Sequence, residues 1–147
     1  MRVLLQRVTE ASVSINEEVF SSIGPGLLAL VCIEKGDNEE QVNSFARKVA
    51  NIRLFPDNEG KANLSILDTG GETLVISQFS LAADIRKGNR PGFSNSADPE
   101  IAERLYNLFC TQLAFEGVPL EFGKFRSHMS VSLVNDGPMT IWMDSNL

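Results

Sequence analysis

Leu74-Val75-Ile76-Ser77-Gln78-Phe79-Ser80-Leu81 is the stretch from which the rest of the chain can be read. Its first three residues are an apolar, partly β-branched run entered from the turn Thr69-Gly70-Gly71, the pattern of a short buried strand. Ser77, Gln78 and Ser80 then surround one aromatic, Phe79, and gather hydroxyl and carboxamide donors and acceptors at the strand's end. A basic loop follows, Arg86-Lys87-Gly88-Asn89-Arg90-Pro91-Gly92-Phe93. A polar strand end beside a cationic loop suits an anionic ligand. A buried strand running into a solvated loop is the plainer reading of the same residues.

Before this stretch the chain reads mostly as β. Arg2 to Val8 is one strand, and Ser12 to Ile15 alternates polar and apolar before Asn16-Glu17-Glu18 turns it into Val19-Phe20, a hairpin with one wet face. After Gly24-Pro25-Gly26, the run Leu27 to Ile33 is apolar throughout, as in a strand covered on both sides. A helix comes next. Asp37 and Glu40 form a capping-box pattern, and Val42, Phe45, Ala46, Val49 and Ile52 recur at helical spacing. Ile66-Leu67 reads as a short strand.

After it, Asp98 and Pro99 open a second helix. Its apolar stripe is Ile101, Leu105, Leu108, Phe109 and Leu113, and Gly117 suits its exit. A short strand after Pro119, an alternating strand from Met129 to Val134, a hairpin turn at Asn135-Asp136-Gly137-Pro138 and a last strand Met139 to Met143 complete the chain. Residues 1–147 are therefore expected to form a single α+β domain. A mixed or antiparallel sheet curls into a barrel-like core, with two main helices packed on the outside.

The 147 residues are 43% hydrophobic and 22% charged, ordinary for one globular domain with a real core. No apolar run approaches the roughly 20 residues of a membrane span, and no signal-peptide core follows the N-terminus, so a cytoplasmic protein is expected. Cys32 and Cys110 read as buried free thiols. One histidine, His128, excludes a multi-histidine metal site within the chain, and neither a metal nor an organic cofactor is expected. The net charge of −6 argues against a protein that coats nucleic acid, while leaving room for a local basic patch.

Two motifs together reach a family. Ser77-Gln78-Phe79-Ser80-Leu81 resembles the Ser-Gln-Phe-Thr motif of the D-aminoacyl-tRNA deacylases, and Asn135-Asp136-Gly137-Pro138-Met139-Thr140 resembles their Asn-Asp-Gly-Pro-Val-Thr motif. Gln6-Arg7-Val8, Ile23-Gly24, Gly26-Leu27-Leu28, Lys87-Gly88-Asn89-Arg90-Pro91 with Phe93, and Ala102-Glu103-Arg104-Leu105-Tyr106 look like the family at matching places. The likeness spans essentially the whole chain. Three positions depart from it. Ser80 stands for the usual Thr, Met139 for the usual Val, and Arg126-Ser127-His128 for a stretch that more often reads Gly-Ala followed by a polar residue.

The resemblance implies hydrolysis of the ester joining a D-amino acid, or glycine, to the terminal adenosine of tRNA. It implies a homodimer in which a cis Gly137–Pro138 pair enters the partner's pocket, steadied by Arg7, with Met139 and Thr140 beside it. A glycine carbonyl there binds the substrate's α-amino group and leaves no space for an L side chain, so chirality is selected by rejection. Ser77, Gln78, Phe79 and Ser80 then form the catalytic shell, with backbone N–H groups around Gln78 and Phe79 as the oxyanion hole. Water, assisted by the 2′-hydroxyl of the tRNA, is the implied nucleophile. The tRNA 3′ end meets Arg86, Lys87, Arg90, Lys124 and Arg126, and neither DNA nor a membrane is an expected partner. Two other readings stay open: a small hydrolase using Ser77 or Ser80 with His128, and a binding module that has lost turnover.

Overall fold

The computed structural model describes all 147 residues. Its first strand, β1 (Arg2–Ile15), is continuous where two shorter strands were expected. Val3 and Leu5 are buried on one of its faces and Val8, Ala11 and Val13 on the other, and the three-residue step from Val8 to Ala11 along one face marks a slip in the alternation. β1 turns back through Asn16 and Glu17, both at positive φ, into β2 (Glu18–Ile23). β3 (Gly26–Cys32) is buried along almost its whole length, as its unbroken apolar run requires. Gly26 is obligatory there, because a Cβ would sit 1.8 Å from the Glu72 carbonyl oxygen of the neighbouring strand.

Helix α1 (Glu39–Asn51) starts one residue later than expected. Asn38 accepts from the Gln41 amide, and Gln41 bonds back to the Asn38 amide, completing the capping box. Asp37 has other work: its carboxylate takes the Glu34 amide and the Met1 ammonium. The short strands β4 (Phe55–Pro56) and β5 (Ala62–Leu64) pair with each other. Ile66-Leu67 is not a strand. It opens the single-turn helix α2 (Ile66–Thr69), because Ser65 and Asp68 make a capping box that overrides the local β propensity, and Gly70 in the left-handed region ends it.

Next come β6 (Glu72–Ser77), a 3₁₀ turn over Phe79–Ala82, helix α3 (Pro99–Phe115) and β7 (Leu120–Phe122). Asp98 precedes α3, but its side chain makes no capping bond. The buried stripe of α3 is Leu105, Tyr106, Phe109, Cys110 and Leu113; Ile101 is 45% exposed. The last strand, β8 (Ser130–Asp144), runs straight through the predicted hairpin turn.

β1 pairs antiparallel with β2, β3 and β8, while β3, β6 and β7 are mutually parallel neighbours. The mixed sheet nearly closes into a barrel, with the Ser21 hydroxyl of β2 donating to the Phe122 carbonyl of β7 at 2.7 Å. One face of the sheet packs under α1 and α3 through Val3, Leu5, Leu27, Ala29, Val31 and Val75. The other face fills the barrel with Val13, Ile23, Leu28, Leu74 and Ile76. The expected α+β barrel-like core with two main helices outside is what folds, and α2 adds a third, one-turn helix.

Candidate active site

The parallel strands β3 and β6 end beside each other, and an open cavity of about 710 Å³ lies at that end. Ser77, Gln78 and Phe79 form one wall, and Phe93 and Phe125 add aromatic surface. The first turn of α3 supplies Asp98, Pro99 and Ala102, and the loop before β8 supplies Arg126, Ser127 and His128. Phe79 is 57% exposed and meets Phe93 edge-on, with ring centroids 5.0 Å apart. The basic loop that carries Phe93 is closed at its base by paired hydrogen bonds between Asp84 and Gly92. That closure holds Phe93 against Phe79. Arg126 takes a left-handed backbone, φ 60°, which few non-glycine residues adopt, and turns this loop toward the cavity.

The polar groups of the Ser-Gln-Phe segment divide. The Gln78 amide donates to the Val31 carbonyl at 2.8 Å, continuing the sheet, so it is not free to hold an oxyanion. The 3₁₀ bonds begin at Leu81, which donates to the Gln78 carbonyl, and the Phe79 and Ser80 amides lie ahead of that first bond. The Gln78 carboxamide donates to the Ser80 hydroxyl, which is not part of the cavity wall. No hydrogen bond joins His128 to Ser77 or Ser80, so no serine–histidine pair is assembled in this geometry. Beneath the wall, the Cys32 thiol donates to the Phe79 carbonyl at 3.6 Å. Burial, and then the nearby Glu34 carboxylate, push that thiol up to about 11, so it is a neutral packing group and not a nucleophile.

The second motif is built differently from the expected hairpin. Between Gln6 and Glu10, β1 has three residues, whereas β8 has five between Val134 and Thr140. The surplus is extruded as a bulge at Asn135–Met139, containing a cis Gly137–Pro138 bond. The Asn135 carboxamide spans the bulge, donating to the Arg7 and Met139 carbonyls at 2.8 and 3.1 Å. Arg7 donates to the Asp136 carbonyl at 3.1 Å and also to the Leu54 carbonyl. Gly137 and Pro138 remain exposed, Met139 leans on the core, and Thr140 accepts from Gln6 at 3.2 Å.

The two motifs do not meet within one chain. Val131 of β8 touches the cavity, but Asn135 lies four residues further along the strand, roughly 13 Å of extended chain. Gly137 and Pro138 are not cavity residues. Of the expected tRNA-binding cations, Lys87, Arg90 and Lys124 are exposed without a carboxylate partner, and Arg126 is exposed at the cavity edge. Arg86 is different: Asp84 takes its guanidinium at 2.6 and 2.9 Å, and that guanidinium holds the Asp84 carboxyl well below the usual range. Phe93, Phe125 and the α3 face at Asp98 to Ala102 were not singled out as site residues from the sequence. Only the matching segments around Phe93 and Ala102 pointed their way.

Residues 4–144 match the family model described as D-Tyr-tRNA(Tyr) deacylase. A relative from Ruegeria pomeroyi named D-aminoacyl-tRNA deacylase is 56% identical, over 98% of this chain and 99% of its own. One from Cereibacter sphaeroides with the same name is 53% identical, over 99% and 100%. A solved structure titled "c-Myc DNA Unwinding Element Binding Protein" superposes with a TM-score of 0.93 at 39% identity, covering 99% of each chain. That title names a DNA element, a class of partner not expected from the sequence. A structure titled as a probable eukaryotic D-amino acid tRNA deacylase has a TM-score of 0.82 over 97% of each chain; at 16% identity it shows the shared fold alone.

Proposed function

This chain belongs to the D-Tyr-tRNA(Tyr) deacylase family and is an ester hydrolase of aminoacyl-tRNA; from that premise we propose that it is a chiral proofreader whose site is shared between two copies. The observation that carries this reading is the separation of the motifs: Ser77, Gln78 and Phe79 wall the cavity, while Gly137 and Pro138 stand exposed on a bulge beyond its reach. A second copy supplies the missing bulge. The face opposite the helices favours such an assembly. There Trp142, 44% exposed with the Arg2 guanidinium over its ring, pairs with Leu4 of β1, and Leu4 pairs with Leu30 of β3, a partly exposed apolar strip.

In this arrangement the terminal adenosine lies against Phe79, Phe93 and Phe125, where aromatic faces favour a stacked base. The ester carbonyl points at the Phe79 and Ser80 amides, which stabilise the oxyanion as water adds. Collapse breaks the bond to the ribose oxygen, which takes a proton and leaves as tRNA. The 2′-hydroxyl of the substrate assists, since no side-chain base is positioned. The partner's Gly137 carbonyl accepts from the α-amino group and its backbone fills the volume of an L side chain. D side chains and glycine are accepted. Lys87, Arg90, Lys124 and Arg126 receive the 3′ end, with Arg86 weakened by Asp84. No helix is long and apolar enough to cross a membrane, and the proposed substrate puts the enzyme in the cytoplasm.

The deciding experiment is hydrolysis of D-tyrosyl-, L-tyrosyl- and glycyl-tRNA by purified protein. D over L by on the order of a hundredfold or more is expected, with glycine accepted. Equal hydrolysis of D and L substrates would remove the chiral reading.

A further inference from the structure

The chain has thirteen Lys and Arg residues. Five of them, Arg2, Arg7, Lys61, Arg86 and Arg104, face carboxylates. The eight without a carboxylate partner are not scattered. Apart from Lys35, four belong to the two loops at the cavity, and the other three, Arg47, Lys48 and Arg53, line a single groove at the C-terminal end of α1. The groove encloses about 530 Å³ and contains Ser44, Asn51 and Ile52 besides the three cations, with no acidic side chain. In a protein of net charge −6 with nineteen acidic residues, a concave surface holding only positive charge attracts a polyanion. Lys48 also complements the negative end of the α1 dipole, but Arg53 lies beyond the helix, after its cap residue Ile52, so helix stabilisation does not account for the set.

The groove also has a definite position relative to the site. Arg53 is followed by Leu54, whose carbonyl accepts from Arg7, and the same Arg7 guanidinium holds the Asp136 end of the Gly137–Pro138 bulge. Wherever the bulge goes, the groove goes with it.

We propose that the Arg47–Lys48–Arg53 groove is a second docking surface for tRNA, taking the sugar–phosphate backbone of the acceptor stem. The inference rests on the shared-site reading above. With the bulge of one copy in the cavity of the other, the single-stranded 3′ end enters one subunit while the stem behind it crosses the groove of its partner. The contacts are to phosphate, so they position the RNA without reading its sequence.

The test compares wild type with Arg47→Gln/Lys48→Gln/Arg53→Gln and with Arg47→Lys/Arg53→Lys, which keeps the charge. On D-tyrosyl-tRNA the glutamine variant should lose about tenfold in kcat/KM, mainly through KM, and its log–log salt dependence should flatten by roughly one unit per phosphate contact removed. On the D-tyrosyl ester of adenosine alone it should match wild type, and the lysine variant should match wild type on both substrates. Unchanged kcat/KM and unchanged salt slope on tRNA would overturn the proposal, as would an equal loss on both substrates. Affinity for uncharged tRNA, measured on the same proteins, tests the groove without turnover. If wild type hydrolyses neither D substrate, the deacylase reading fails. The groove still stands or falls on whether the glutamine variant binds uncharged tRNA more weakly.

Discussion

Arg7 and Asp136 face each other across the β1–β8 ladder, the Arg7 Nε 3.1 Å from the Asp136 carbonyl and 3.0 Å from its carboxylate. The Arg7 guanidinium is mostly buried, whereas the Asp136 side chain is half exposed. Its bonds to the two backbone carbonyls, of Asp136 and Leu54, therefore matter more than the ion pair, which water screens. Arg7→Ala should lower the unfolding free energy by about 1.5–3 kcal/mol, read by urea denaturation, and should lower deacylation beyond what the fraction folded explains. Arg7→Lys keeps the charge but not the fork, and should recover only part of both. Full activity in Arg7→Ala would mean the bulge needs no such support.

Gly137→Ala tests the bulge directly. A Cβ at Gly137 would lie 2.8 Å from Asn135 Oδ1, and that carboxamide is held by two hydrogen bonds. The fold should survive, since the bulge is exposed, while D-aminoacyl-tRNA hydrolysis falls steeply. Mixing Gly137→Ala with Phe79→Ala protomers should then restore activity above either parent. Each mixed dimer has one site with a wild-type wall and a wild-type bulge. No restoration in verified mixed dimers would place both motifs in the same chain's site.

Ser80→Ala should keep activity within about tenfold of wild type, because the Ser80 hydroxyl is bonded to Gln78 and lies off the cavity wall. His128→Ala should do the same. Loss of turnover in either variant, with folding and tRNA affinity intact, would revive a side-chain nucleophile or base.

Both thiols should be silent in the folded protein. Burial raises Cys32 to about 11 and Cys110 to about 12 from the ordinary 9.0, and Tyr106, bonded to the Val75 carbonyl, is raised as well. At pH 8 alkylation should be slow until denaturant is added. The folded state keeps these protons where the unfolded chain has released them. Stability is therefore fully present below about pH 9 and should fall as pH rises through 11. Denaturant midpoints measured between pH 8 and 11 check the sign; a rising midpoint would contradict it.

Gly26→Ala should not fold. The added Cβ would overlap a strand carbonyl at 1.8 Å, and main chain held in the first pair of the β3–β6 ladder cannot move aside as a side-chain tip can. Soluble expression of this variant with native circular dichroism would show that β3 and β6 can separate.

The helix stripe Val42, Ala46 and Val49 and the apolar run from Leu27 to Cys32 were legible because each depends on its own spacing. Ile66-Leu67 was misread because two apolar residues have no period, and the capping serine before them decided the matter. The Asn135–Pro138 stretch was misread for a deeper reason. Its residues are all turn formers, and nothing local says whether the chain turns back or bulges and continues. The choice belongs to β1, fourteen residues long, which pairs with β8 on both sides of the bulge and leaves it no reason to reverse.

By itself, then, the sequence determined the class of fold, the residues of both motifs and the family, since these follow from local patterning and from motif residues at fixed places along the chain. Tertiary structure alone decided that the Gln78 amide is consumed by Val31, that Ser80 faces Gln78 and not the cavity, that Arg86 is bound by Asp84, and that the two motifs lie apart on one chain. Each of these depends on which backbone runs alongside which. That is set by long-range pairing across the sheet, and no short stretch of sequence carries it.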